Sequence, residues 1–209
     1  MTEPIQPSAL RAQLGDIDIY LFDQLLRGRI VEGMRVLDAG CGSGRNLVFM
    51  LRAGMDVHGV DENPDAIAAV RRQAALLAPH APAERFSAEP VDAMSFPNES
   101  MDVVVSSAVL HFARDEAHFA RMVNEMWRVL APGGLLFCRL ASSIGIESHV
   151  KSVGNRRYLL PDGSTRFLVD AQYLLEHTAR LGGELLDPLK TTVVHGMRSM
   201  TTWVVRKSG

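Results

Sequence analysis

Arg35-Val-Leu-Asp-Ala-Gly-Cys-Gly-Ser-Gly44, followed after a helical segment by Asp56-Val-His-Gly-Val-Asp61, decides how this chain is read. Val36 and Leu37 open a short apolar run of the kind that forms a buried strand. Gly40, Gly42 and Gly44 follow at once, and Arg45 to Ala53 carries Leu47, Met50 and Leu51 at helical spacing. Val57 to Val60 reads as a second strand, and it ends in Asp61. The order is strand, glycine turn, helix, strand, acid. Glycine lets the backbone approach a ligand without a Cβ in the way. The helix beyond it offers free N–H groups. A carboxylate at the end of the second strand is placed to accept hydrogen bonds from ribose hydroxyls. A tight turn beside an incidental acid gives no reason for the parts to come in this order, so the pattern points to a site for a nucleoside-bearing ligand.

The spacing narrows the ligand. A dinucleotide fingerprint is G-x-G-x-x-G, whereas here the run is G-x-G-x-G and Arg45 stands in the place of the third packing glycine. Asp38 precedes the first glycine by two residues, where it repels a pyrophosphate and attracts a cationic ligand. The run Val36-Leu-Asp-Ala-Gly-Cys-Gly-Ser-Gly44 resembles the first motif of class I S-adenosylmethionine-dependent methyltransferases. The resemblance extends from about residue 33 to residue 141. It includes Trp127-Arg-Val-Leu-Ala-Pro-Gly-Gly134, which is similar to that family's entry into its fifth strand. It implies an α/β fold, a three-layer Rossmann-like sandwich on a seven-stranded, mostly parallel sheet of order 3-2-1-4-5-7-6 with the last strand antiparallel. It further implies S-adenosyl-L-methionine as methyl donor, S-adenosyl-L-homocysteine as product and a small-molecule acceptor.

The same resemblance assigns site residues. Asp61, with Glu62 beside it, takes the ribose. Asp38, Ala39, Gly40, Cys41, Gly42 and Gly44 surround the methionine portion, Asp38 facing the donor's ammonium group. Ser106 and Ser107, at the end of the central strand, fall at the sulfur end. The family's adenine-binding acid aligns with Pro90, which cannot make that contact. Val91 can still offer its N–H, and Glu89 or Asp92 can supply the carboxylate after a small shift in register. Apart from the resemblance, the amphipathic stretch ahead of the first strand either packs on the sheet edge or covers the ligand, and in the second case Tyr20 closes over the methionine end. His111 follows the central strand, either as a base for a protonated acceptor or as a packing histidine at a strand–helix junction. His149, His195 and Arg139 lie on segments suited to an acceptor pocket.

The rest of the chain is consistent with one domain over its 209 residues: a helical segment at 1–32, a ligand-binding core at 33–141, and a lid or acceptor segment with a terminal hairpin at 142–209. Residues 1–8 read as loosely tied, and Ile17 to Leu26 as a helix of about four turns. Asn63-Pro64 starts a helix, and Asp115 and Asp170 start two more. A weak strand is expected near 85–88 and a hairpin around His195-Gly196. The formal charge is −2 and no Lys/Arg run exceeds two. That argues against nucleic acid as partner. The absence of a long apolar run argues against a membrane. Cys41 and Cys138 read as free buried thiols, which favours the cytoplasm. Zinc-type spacing is missing, and the chain fits a monomer or a homodimer. Two other readings stay open: an NAD-linked oxidoreductase, against which the glycine spacing counts, and a donor-binding protein without catalysis.

Overall fold

The apolar runs pair into one large sheet in the computed structural model, which describes residues 6–209. Strands β1 (Arg35–Ala39), β2 (Asp56–Asp61), β3 (Phe86–Ala88), β4 (Met101–Ser107) and β5 (Leu130–Ala141) are parallel and lie in the order β3-β2-β1-β4-β5. Central parallel strands are covered on both faces, hence the near-continuous burial of β1 and β4. Successive side chains still point to opposite faces. Leu37, Val104 and Leu136 enter one core with Phe119, Met126 and Leu174, and Val36, Val105 and Phe137 enter the other with Leu21, Leu47 and Val70. Three layers result. Helices α2 (Ile19–Leu26), α3 (Val48–Arg52) and α4 (Pro64–Leu77) cover one face, and α5 (Glu116–Val129) and α6 (Ala171–Arg180) cover the other.

Helix starts follow local chemistry. Asn63 caps α4 by accepting from the Asp65 N–H, with Pro64 at the first helical position; Asp115 and Asp170 cap α5 and α6 in the same way. The N-terminal part differs from expectation. Residues 1–5 lie outside the described residues, but Pro7 and Ser8 begin a helix, α1 (Pro7–Leu14), which buries none of its side chains. The helix expected over 17–26 starts only at Ile19, because Asp18 is its cap. The helix expected from Arg45 starts at Val48, because Gly44 to Leu47 form a tighter turn.

Segment 142–170, read from sequence as a polar stretch with turns, forms a second, antiparallel sheet of β6 (Lys151–Gly154), β7 (Arg157–Leu159) and β8 (Thr165–Phe167). Its first turn places Asn155 and Arg156 at φ 54° and 56°, the pairing of two positive φ values that suits a two-residue hairpin. Arg156 ties this sheet to α6, with Nη1 donating to the Asp170 carboxylate at 2.9 Å and the guanidinium 3.9 Å from the centre of the Tyr173 ring.

The expected order 3-2-1-4-5-7-6 needs one correction. The last strand, β11 (Arg198–Lys207), runs antiparallel to β5, with Met200 opposite Ala141 and Arg206 opposite Leu135. Its outer neighbour is broken in two, β9 (Gly183–Leu185) and β10 (Lys190–Val194), so the sheet has eight strands instead of seven. The break spans Asp187-Pro188. Proline has no N–H for a ladder. The Asp187 carboxylate accepts from Arg29 Nη1 at 2.7 Å and Arg27 Nη1 at 3.3 Å instead, fastening the chain that follows α2.

Candidate active site: a cleft at the carboxyl ends of the strands

A cleft of about 720 Å³ opens over the carboxyl ends of β1, β2 and β4. Ligands of open α/β sheets bind in this position. Gly40, Cys41, Gly42, Asp61, Glu62 and Val91 line it. The glycine turn is pinned from below, where Gly40 and Cys41 both donate to the Val60 carbonyl, at 2.8 and 2.9 Å. Asp61 Oδ2 accepts from the Gly42 N–H at 2.9 Å and Oδ1 from the Asn63 N–H at 3.0 Å. Each carboxylate oxygen keeps a lone pair for a ligand hydroxyl.

Gly40 has a steric reason to be glycine. Its φ is +86°, and a Cβ there would meet Val109 Cγ1 at 2.8 Å. Val109 also lines the cleft. Gly40→Ala is therefore expected to lose about 1–3 kcal/mol of stability through strain and overpacking, and to weaken donor binding as Val109 moves; thermal melts and calorimetric titration read the two effects. Unchanged melts and affinity would show that the turn adapts.

Asp38 and Ala39 lie beneath the cleft floor. Asp38 is only 1% exposed, and neither of its carboxylate oxygens has a hydrogen-bond partner. Burial pushes its pKa up to about 7, against the pull of the Arg45 cation and of the Asn46 amide, which lies close by without the geometry of a full hydrogen bond. A buried acid without partners is costly, so this group marks where a cationic ligand gains most. Ser106 is likewise fully buried with its hydroxyl unpartnered. Burial also raises the Cys41 and Cys138 thiols well above their usual range, so neither is a nucleophile.

Other assigned residues sit elsewhere. A Cβ on Gly44 would face Val70 and Gln73 on α4, so its smallness serves helix packing. Glu89 is held by Ser95, whose N–H and Oγ donate to it at 2.7 and 2.8 Å, and it does not line the cleft. Asp92 does, within 3.4 Å of His118 Nε2 and 3.3 Å of Arg121 Nε. Of the two acids considered for the adenine end, the geometry brings Asp92 to the cleft beside Val91. Tyr20 is outside the cleft, its hydroxyl 2.7 Å from Thr192 Oγ1 and its ring 5.2 Å from the Arg139 guanidinium.

A buried network joins the N-terminal segment to the site. The Asp18 side chain is fully enclosed; Oδ2 accepts from Ser107 Oγ at 3.0 Å and Arg139 Nη1 at 3.1 Å, while Oδ1 caps α2 through the Tyr20 N–H. Arg45 Nη2 in turn donates to Ser107 Oγ at 3.0 Å. The backbone N–H of Asp18 donates to the Asn46 side chain. Asp18→Ala is expected to cost about 2–3 kcal/mol, since it leaves a partly buried arginine uncompensated. Asp18→Asn, which keeps the cap, should cost less. Urea denaturation measures both, and equal stability for Asp18→Ala and the wild type would show the network to be idle.

Ala108, next after Ser107, adopts φ +65° with its N–H donating to the Arg139 carbonyl at 2.7 Å. A non-glycine residue so placed is strained. It lies at the boundary between the cleft and a second cavity of about 470 Å³, and lines both. His111 lies on the second cavity. It is 9% exposed, its Nδ1 has no partner, and burial together with the Arg166 cation lowers its pKa to about 4.

A parallel sheet, a glycine turn, an acid at the end of β2 and a cleft at the strand ends are the features of nucleoside-binding α/β domains. Residues 36–134 match the family model described as "Methyltransferase domain", and the fold is that of solved S-adenosylmethionine-dependent methyltransferases. A ubiquinone biosynthesis O-methyltransferase from Methylocella silvestris is 34% identical over 113 residues, covering 52% of this chain and 40% of that protein. A tRNA U34 carboxymethyltransferase from Idiomarina loihiensis is 30% identical over 182 residues, 85% of this chain and 54% of its own length. A solved SAM-dependent methyltransferase from Methanosarcina mazei superposes with a TM-score of 0.71 at 22% identity, covering 88% of this chain and 97% of that one. The chain spans from 31% to 66% of the lengths of curated relatives that it matches. Among the described residues, no helix is long and apolar enough to cross a membrane.

Proposed function

We propose that this chain transfers a methyl group from S-adenosylmethionine to a small-molecule acceptor. The observation that carries the reading is Asp38, a buried carboxylate with no partner beneath a glycine turn whose far side is bounded by Asp61. The residues present fit the donor: Asp38 faces its ammonium group, Asp61 the ribose hydroxyls, and Val91 and Asp92 the adenine. Bound there, the donor supplies a methyl group activated by a positive sulfur. Alignment and exclusion of water are the main tasks left to the protein. Ala108, just beyond β4, joins the donor cleft to the second cavity, and that cavity holds the acceptor. His111 is neutral at pH 7 with an unpartnered Nδ1, but burial and the Arg166 cation make it a weak base, so its place is in the wall of the acceptor cavity rather than as the acceptor's base. Similarity to enzymes named for quinone and hydroquinone methylation supports a small acceptor.

The test is calorimetric titration with S-adenosylhomocysteine, with NADH as comparator, followed by a methyl-transfer screen of phenols, amines and bulk tRNA. Micromolar binding of S-adenosylhomocysteine alone, with turnover on a small molecule, is the expected result. Binding of NADH instead overturns the donor, and turnover on tRNA alone overturns the acceptor class.

A further inference from the structure

The second cavity has a charge character of its own. Three arginines reach its wall from strands far apart in sequence: Arg139 on β5, Arg166 on β8 and Arg198 on β11. Arg139 is already paired with Asp18, although its buried Nε has no acceptor. Arg166 lies with its guanidinium 5.0 Å from the centre of the Phe112 ring, and Nη1 donates only to the neighbouring Thr165 carbonyl at 2.9 Å. Among the described residues, neither Arg166 nor Arg198 has a carboxylate oxygen within 4.0 Å. The single acid on this wall, Asp162, is exposed, and its Oδ1 is taken by the Ser164 N–H and Oγ at 2.9 and 2.6 Å. Asp162 feels the charge of both arginines, but neither is within ion-pair distance of it, so Arg166 and the exposed Arg198 keep their guanidinium donors for a ligand in this cavity. Phe112, under Arg166, also lines the neighbouring cleft.

We propose that this cavity binds a methyl acceptor carrying an anionic group, a carboxylate or a phosphate, which Arg166 and Arg198 hold. The proposal rests on the methyl-transfer reading and names the substrate class of that reaction. Guanidinium groups meet both anions through paired N–H donors. Seated there, the anion fixes one end of the acceptor, leaving its nucleophile toward Ala108 and the donor cleft. Leu160, Val194 and Met200 on the same wall accommodate an apolar body.

The experiment follows arginine Nε–Hε signals by NMR in the full chain loaded with S-adenosylhomocysteine, while benzoate, inorganic phosphate and the neutral benzyl alcohol are titrated in. Benzoate or phosphate is expected to shift the Arg166 and Arg198 signals, whichever binds tighter naming the group. The Arg166→Gln/Arg198→Gln variant should bind that anion at least ten-fold more weakly. Arg206→Gln, an exposed arginine elsewhere on β11, should leave binding unchanged, and Arg166→Lys should retain part of it. Equal binding of benzyl alcohol and benzoate, or equal anion binding by wild type and double variant, overturns the proposal. Failure of the wild type to bind S-adenosylhomocysteine overturns the donor reading instead, and the same titrations on the unloaded chain still report on the arginine pair.

Discussion

Asp61→Ala is expected to weaken S-adenosylhomocysteine binding at least 100-fold, about 3 kcal/mol. Two ribose hydroxyls donating to one carboxylate are worth about 1.5–3 kcal/mol each. The same carboxylate holds the glycine turn, through the Gly42 N–H at 2.9 Å, and the start of α4, through the Asn63 N–H at 3.0 Å. The variant therefore loses the contact and the shape of its neighbours together, with a cost of about 1–3 kcal/mol in the ligand-free protein. Glu62→Ala is the control, because Glu62 is exposed at the rim and has no hydrogen-bond partner in the turn. Calorimetry on both variants settles the matter, and equal losses would move the ribose away from Asp61.

Asp38→Asn is expected to act with opposite signs on stability and on binding. Burial holds the Asp38 pKa near 7, above the ordinary 3.8 of the unfolded chain. Between those two values the folded state keeps a proton that the unfolded state releases. This contribution to stability is therefore fully present below pH 3.8 and is lost as the pH rises through about 7. At pH 8 the wild-type protein carries a buried charge that Arg45 and Asn46 only partly offset, at a net cost on the order of 4 kcal/mol. Asparagine carries none. The ligand-free variant should melt several degrees above wild type at pH 8, with the gap closing toward pH 5. Its affinity for S-adenosylhomocysteine should fall at least ten-fold, because the ammonium group loses its counter-charge. Melts at the two pH values check the first half, and a variant destabilised equally at both would show that the carboxylate has partners after all.

These expectations began with chain-local signals, which explains what was legible. The glycine turn, Asp61 and the caps at Asn63, Asp115 and Asp170 depend on residues a few positions apart, and the structure places each where the sequence indicated. Asp18 could not be read this way. Its partners Ser107 and Arg139 lie 89 and 121 residues further on. The three cavity arginines converge only after β5, β8 and β11 have paired. The β6–β8 sheet was hidden for another reason: its strands are three or four residues long and mostly solvent-facing, so no alternation marks them. At the adenine end the sequence left Glu89 and Asp92 open. Ser95 holds Glu89 through its N–H and hydroxyl, whereas Asp92 lines the cleft. That hydrogen-bonded loop has no signature in the periodicity.

The broken outer strand has a consequence for how the molecule behaves in a crowd. An open sheet ends in rows of unpaired N–H and C=O groups, a template for pairing with another chain. Here one margin is cut into stretches of three and five residues by Asp187-Pro188, and the opposite margin, β3, is three residues long. Neither offers enough continuous backbone for an added strand to gain a secure hold. Asp187, beside the proline at this break, is the residue whose carboxylate anchors Arg27 and Arg29. A single interruption therefore both attaches the N-terminal segment and protects the sheet from templated aggregation.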